Sequence, residues 1–169
     1  ESQERSSVKT PVALKLVDDF ERLGIRSVSL VSDGESTLSP AYVPFIKHAY
    51  DAGIDVGNGT NGWEWEPEKI EQVLPYLTWV RFTVAAGRPN TYADMMYKGP
   101  EHTQVFDRAM ANIKYAVDLK RRKSLPVTLG IQMVLMPGMG EEILPFAQLG
   151  IDLGVDYAVI KHCSDDEQG

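Results

Sequence analysis

Apolar positions recur at helical spacing in five stretches, and short runs rich in β-branched residues lie between them. Val12, Leu16, Val17, Phe20 and Leu23 form the first stripe, stopped by Gly24, and an extended segment follows over 27–31. A second helix is predicted over about 41–52, with Phe45, Ile46, Ala49 and Tyr50 inward and Gly53 as its stop; a short strand follows over 54–57. Pro67 opens a third helix that groups Ile70, Val73 and Leu74, and Pro75 closes it. A strand over 79–84 leads into a long helical region, 91–122, broken near Gly99-Pro100, with Val105, Phe106, Ala109, Ile113 and Val117 on its buried side. A strand over 127–135, a helix over 143–153 stopped by Gly154, and a strand over 157–161 complete the pattern.

Helices and strands thus alternate, which predicts an α/β fold with parallel strands joined by right-handed crossovers. Two architectures fit: an open doubly wound sheet, or an arc of a (β/α) barrel. The strand faces separate them. Val80, Phe82 and Val84 share one face of their strand, and Arg81 and Thr83 the other. In the next strand Leu129, Ile131 and Met133 oppose Thr128, Gly130 and Gln132. In a sheet covered on both sides, Arg81 and Gln132 would sit in an apolar layer at a cost on the order of several kcal/mol each if unpaired. A polar lumen satisfies them, so the barrel arc is the favoured reading; mutual pairing, for example of Arg81 with Asp33 or Glu35, is the plain alternative.

Composition narrows the function. The chain has 169 residues, 43% apolar and 24% charged, enough for one domain with a core. Lys+Arg is 17 against Asp+Glu 24, a formal charge of −7, which argues against nucleic acid or an anionic membrane as partner. There is one cysteine, Cys163, so no intrachain disulfide and no cysteine-rich metal site can form from this chain. No apolar run is long enough to span a membrane and no secretory pattern opens the chain, so the expected location is the cytoplasm.

Ligands of such folds sit at the carboxyl ends of strands. There the sequence places Asp33-Gly34-Glu35-Ser36-Thr37-Leu38-Ser39-Pro40, then Thr60-Asn61-Gly62, then Val80 to Gly87 followed by Thr91-Tyr92, then Met136-Pro137-Gly138, then His162-Cys163-Ser164-Asp165. Taken one by one these have ordinary explanations: a turn at Asp33-Gly34 with Glu35 capping the next helix, a turn at Thr60-Asn61-Gly62. His162 and Cys163 alone are too few donors for a metal site. In this order and at this spacing, the set resembles the radical S-adenosylmethionine (radical SAM) superfamily. The stretch over 127–166 is similar to members that carry a C-terminal SPASM-type domain for auxiliary clusters.

The resemblance implies a partial (β/α)6 TIM-like barrel, of which this chain supplies strands two to six as a single core fragment over 1–169. It implies an enzyme that cleaves S-adenosylmethionine reductively at a four-iron, four-sulfur (4Fe-4S) cluster, giving a 5′-deoxyadenosyl radical that abstracts hydrogen from a small-molecule or peptide substrate, with an electron donor as partner. Gly34, Glu35 and Thr83 are the expected cofactor-binding residues, with Asn61, Gln132 and Lys161 behind them; Glu35 suits the cofactor's ammonium, and Lys161 its carboxylate. The family's Cys-x3-Cys-x2-Cys triplet is absent from this sequence, so the cluster's ligands are expected outside it and the chain alone is expected to be inactive. Two alternatives remain: a Schiff-base lyase or aldolase using a desolvated Lys161, and a cluster-free barrel that binds a cofactor or a partner.

Overall fold

The computed structural model describes residues 7–31, 34–97 and 102–163. Its elements are α1 (Thr10–Leu23), β1 (Ser27–Leu30), a 3-10 turn (Ser36–Leu38), α2 (Tyr42–Asp51), β2 (Asp55–Thr60), α3 (Pro67–Val73), a second 3-10 turn (Leu74–Tyr76), β3 (Trp79–Thr83), α4 (Pro89–Tyr97), α5 (Thr103–Lys123), β4 (Thr128–Leu135), a third 3-10 turn (Gly140–Glu142), α6 (Ile143–Leu153) and β5 (Tyr157–His162). Helix ends follow local chemistry. Gly24 and Gly154 close α1 and α6 in the left-handed conformation, at φ 73° and 72°. Four cations, Lys120 to Lys123, fill the last turn of α5, where the helix dipole favours them. No helix among the described residues is long and apolar enough to cross a membrane.

The five strands are parallel and lie in the order β1-β2-β3-β4-β5. Each strand pairs with its neighbour in sequence, so right-handed crossovers bring every connecting helix to the same side. A doubly wound sheet would need the order to reverse. The fold is therefore an α/β partial TIM-like barrel.

The helix-facing side is mostly apolar: Val56, Val80, Phe82, Leu129, Ile131 and Met133 are fully buried there and join the main core, with Asn58 and Thr60 as buried polar residues at the end of β2. The register puts the polar positions together on the concave side. One row runs Gly59, Arg81, Gly130, Tyr157; the row above it runs Thr83, Gln132, Val159; and Val134 pairs with Lys161 above that. The polar lumen predicted from the strand faces is thus present.

Four local expectations are corrected. β2 runs on from Gly57 through Asn58, Gly59 and Thr60, which were expected to lie beyond the end of the strand. A Cβ on Gly57 would lie 2.0 Å from the Trp79 indole and one on Gly59 would lie 3.0 Å from Val31, so the glycines serve as strand residues over which neighbours fold. In α1, Ala13 and Val17 are the buried pair while Val12, Leu16 and Leu23 are exposed, because among the described elements the helix packs mainly on α2. Tyr50 is exposed, its ring set edge-on to Tyr76 rather than turned into the core. Pro75 does not end the helical path but sits inside the second 3-10 turn. The break expected at Gly99-Pro100 falls outside the described residues.

At the amino-terminal end of the strands, Asp156 ties β4 to α5: it accepts from the Leu129 N–H at 2.6 Å and from Lys120 Nζ at 2.5 Å. Partial burial pushes its carboxyl up, but the Leu129 hydrogen bond and the Lys120 and Arg121 charges outweigh this and hold it below the ordinary value. Its contribution is therefore full above the unfolded value of about 3.9 and is lost as pH falls through the lower folded value.

Two outcomes follow. Gly57→Ala is expected to destabilise by about 1–3 kcal/mol through overpacking against Trp79, read as a lower urea midpoint. Asp156→Asn is expected to lower the thermal midpoint at pH 7, with the gap from the unaltered chain closing in scans at pH 3 and below.

Candidate cofactor site at the carboxyl ends of the strands

Glu35 follows β1 and is already engaged. Its Oε1 accepts from Thr37 N–H at 3.2 Å, Thr37 Oγ1 at 2.8 Å and Thr60 Oγ1 at 2.8 Å, and its Oε2 accepts from Asn61 N–H at 2.7 Å. The carboxylate caps the 3-10 turn, as its capping explanation predicted, and locks the loop after β1 onto the end of β2. Each carboxylate oxygen has two lone pairs, so Oε1 with three donors is fully used while Oε2 has accepted only one. The position left on Oε2 is enough for a single further donor such as an ammonium. Tyr42 packs nearby; burial, and then the negative charge of Glu35, push its phenol well above the ordinary value.

Asn61 is committed to its own loop: its Oδ1 accepts from Trp63 N–H at 3.1 Å and Glu64 N–H at 3.5 Å. From beneath, the buried Asn112 donates to the carbonyls of Gly62 at 2.9 Å and Trp63 at 3.1 Å. Gly34 is exposed, and a Cβ there would meet nothing within 4 Å, so its surroundings are open but do not by themselves demand glycine.

Thr83 and Gln132 are paired across β3 and β4 at the top of the lumen. Thr83 is exposed, and its hydroxyl has no partner among the described residues. Gln132 is buried, and its Oε1 has no hydrogen-bond partner there. An orphaned buried acceptor beside a free hydroxyl is the donor-and-acceptor pair that a polar ligand satisfies. Lys161 lies on the same face of β5 and is exposed, so no described residue supplies the desolvation that a Schiff-base lysine requires. Arg81 pairs with neither Glu35, whose acceptors serve the loops, nor any other described carboxylate. Asp33, Ser164 and Asp165 lie outside the described residues.

Glu142 was not legible as a site residue. It is buried just before α6. Its Oε2 accepts from Gly87 N–H at 2.9 Å and Arg88 N–H at 3.1 Å, and its Oε1 from Thr91 Oγ1 at 2.8 Å. Arg88 lies 3.5 Å from it. It thereby caps the entry to α4 and joins the loops that follow β3 and β4. The backbones meet closely: a Cβ on Gly87 would come 2.3 Å from the Phe146 nitrogen. The sequence signal was indirect, a Gly-Arg-Pro helix entry with free N–H groups and no local acceptor. Trp65, in the loop after β2, is fully buried against Phe82.

No group of three or more His, Cys, Asp or Glu among the described residues fits a metal ion, and Cys163 is the only thiol in the chain. These residues do not fit a 4Fe-4S cluster.

No protein-family model and no curated protein sequence matches the chain. Solved structures do. SuiB of Streptococcus suis bound to the precursor peptide SuiA superposes with TM-score 0.74 at 16% identity, over 98% of this chain and 35% of that one. The protein anSMEcpe with bound AdoMet gives 0.69 at 14% identity over 96% and 45% of the two chains, and TYW1 with a lysine-pyruvate adduct gives 0.65 at 16% over 92% and 50%. These neighbours are radical SAM enzymes.

This is the fold of the radical SAM core.

The chain spans between 35% and 50% of the length of these three radical SAM structures. Within that core, Glu142 joins the two loops flanking the Thr83–Gln132 pair. Glu142→Ala is expected to cost about 3 kcal/mol, because it leaves several donors without their charged acceptor. Glu142→Gln, which retains one acceptor oxygen, is expected to cost less, with both read by urea unfolding.

Proposed function

We propose that the chain is the core of a radical SAM enzyme, strands two to six of its partial barrel, and that it holds S-adenosylmethionine over the carboxyl ends of β3 and β4. The observation that carries this reading is the free Thr83 hydroxyl beside the orphaned Gln132 Oε1, on the polar face of a fold shared with an AdoMet-bound enzyme. Thr83 donates to, or accepts from, the cofactor's ribose or carboxylate, and Gln132 accepts from its hydroxyl or ammonium. Glu35 offers its one remaining acceptor position to the ammonium while holding the first two loops in place. Asn61 shapes the loop beside it, Gly34 keeps the approach open, and Lys161 balances the carboxylate charge from the rim.

When bound at a reduced 4Fe-4S cluster, S-adenosylmethionine supplies a carbon radical able to abstract hydrogen. The cluster's ligands belong outside residues 1–169, since one cysteine cannot hold it, and the chain alone is inactive in this reading. What these residues do is bind, orient and keep water away from the cofactor. SuiB bound to its precursor peptide supports a peptide as substrate.

Isothermal titration of the chain with S-adenosylmethionine tests the reading. One saturable site is expected, with Thr83→Val and Gln132→Leu each weakening it about tenfold, or ~1.4 kcal/mol. Absence of saturable binding, or an unchanged Kd in both variants, refutes it.

A further inference from the structure

We propose that Arg81 anchors a carboxylate of the substrate inside the lumen, one layer below the residues assigned to the cofactor; this deepens the cofactor reading and rests on it. Arg81 lies on the concave face midway along the sheet, in register with Gly59 on one side and Gly130 on the other. Neither neighbour has a side chain to pair with it. The positions those side chains would take are covered instead by apolar groups: Val31 over Gly59, and the Tyr157 ring over Gly130. Below, the guanidinium carbon lies 5.7 Å from the centre of the Trp79 ring. The cation therefore sits among aliphatic and aromatic walls.

Arg81 has no carboxylate partner among the described residues, and its Nε is buried without a hydrogen-bond partner. The other charged residues that the register places on this face are at its two ends: Asp55, which accepts from Thr78 Oγ1, and Lys161 on the exposed rim. Arg81 is half-buried, with only its Nε fully enclosed, so a ligand anion would pair the guanidinium and satisfy that buried N–H at once. The open side is set by Thr83, two residues further along β3 and exposed, so the anion enters from the carboxyl ends of the strands.

The anion's chemistry follows from the donor. One planar guanidinium with a single charge matches a carboxylate, which it can bind through two parallel N–H bonds. A phosphate dianion would carry a second charge with no partner in this layer. Gln132 stands one strand over and two residues up, about 8 Å away between Cα positions. That spacing separates a carboxylate on Arg81 from a cofactor at Thr83 and Gln132. The carboxylate belongs either to a small acid or to an acidic side chain of a peptide.

The test follows the Arg81 Nε–H signal by nuclear magnetic resonance, assigned by its loss in Arg81→Lys, during titrations of the chain. The probes are glutarate, a capped glycine–glutamate–glycine tripeptide, its glutamine counterpart and inorganic phosphate. The signal is expected to shift and saturate with glutarate or the glutamate peptide, and which of the two binds more tightly identifies the source. Arg81→Gln is expected to weaken that binding at least tenfold. No shift with either carboxylate, an equal shift with the glutamine peptide, or tighter binding of phosphate overturns the proposal, and the unaltered chain gives these results even if a variant fails to fold. S-adenosylmethionine is titrated in parallel: Thr83→Val is expected to weaken it at least fivefold and to leave the carboxylate's Kd unchanged. Loss of cofactor binding with a retained Arg81 shift refutes the cofactor reading alone.

Discussion

A parallel sheet whose strands follow sequence order can bury only one of its faces against its own crossover helices. The handedness of the crossovers sends every helix to the same side. The other face must then curl inward and find polar solutions of its own. In this chain that constraint separates Val80 and Phe82, buried under helices, from Arg81 and Thr83 on the same strand. It also explains why Arg81 and Gln132 are tolerated in a sheet whose strands are otherwise apolar.

The concave face is built in layers. Near the amino-terminal end Trp79 folds over Gly57, and in the row of Arg81 Tyr157 folds over Gly130, so the two glycines are required by the rings that cover them. Arg81 lies above Trp79, and Thr83 and Gln132 lie above Arg81. Apolar plug, cation and neutral polar pair thus succeed one another toward the open rim. The same order of layers that stabilises the arc sets what kind of group each level can accept.

Two carboxylates hold the rim together, and neither is free. Glu35 gathers donors from the loops after β1 and β2, and Glu142 gathers them from the loop after β3 and the start of α4. Both satisfy backbone N–H groups that a loop leaves exposed. A site built on loops is placed by such clamps as much as by its strands. Glu35 stands where the resemblance expected a ligand contact, yet most of its acceptor capacity belongs to the protein. Its clamping and its single remaining acceptor position are compatible.

Local pattern alone determined the alternation of helices and strands, their stops at Gly24 and Gly154, and which residues of β3 and β4 share a face. Period and glycine conformational preference are properties of neighbouring residues, so a single sequence carries them. The length of β2 was not legible, because Asn58 and Gly59 look like loop residues until Val31 is seen to need the side chain that Gly59 lacks. Nor was the role of Glu142, whose partners lie more than 50 residues away in the chain. Whether Arg81 pairs with Glu35 was undecided for the same reason: pairing depends on which groups come near, and only the packed loops gave Glu35 to Thr37, Thr60 and Asn61. Short-range geometry is encoded by adjacent residues, whereas the competition among distant donors and acceptors is resolved only when the chain has closed around them.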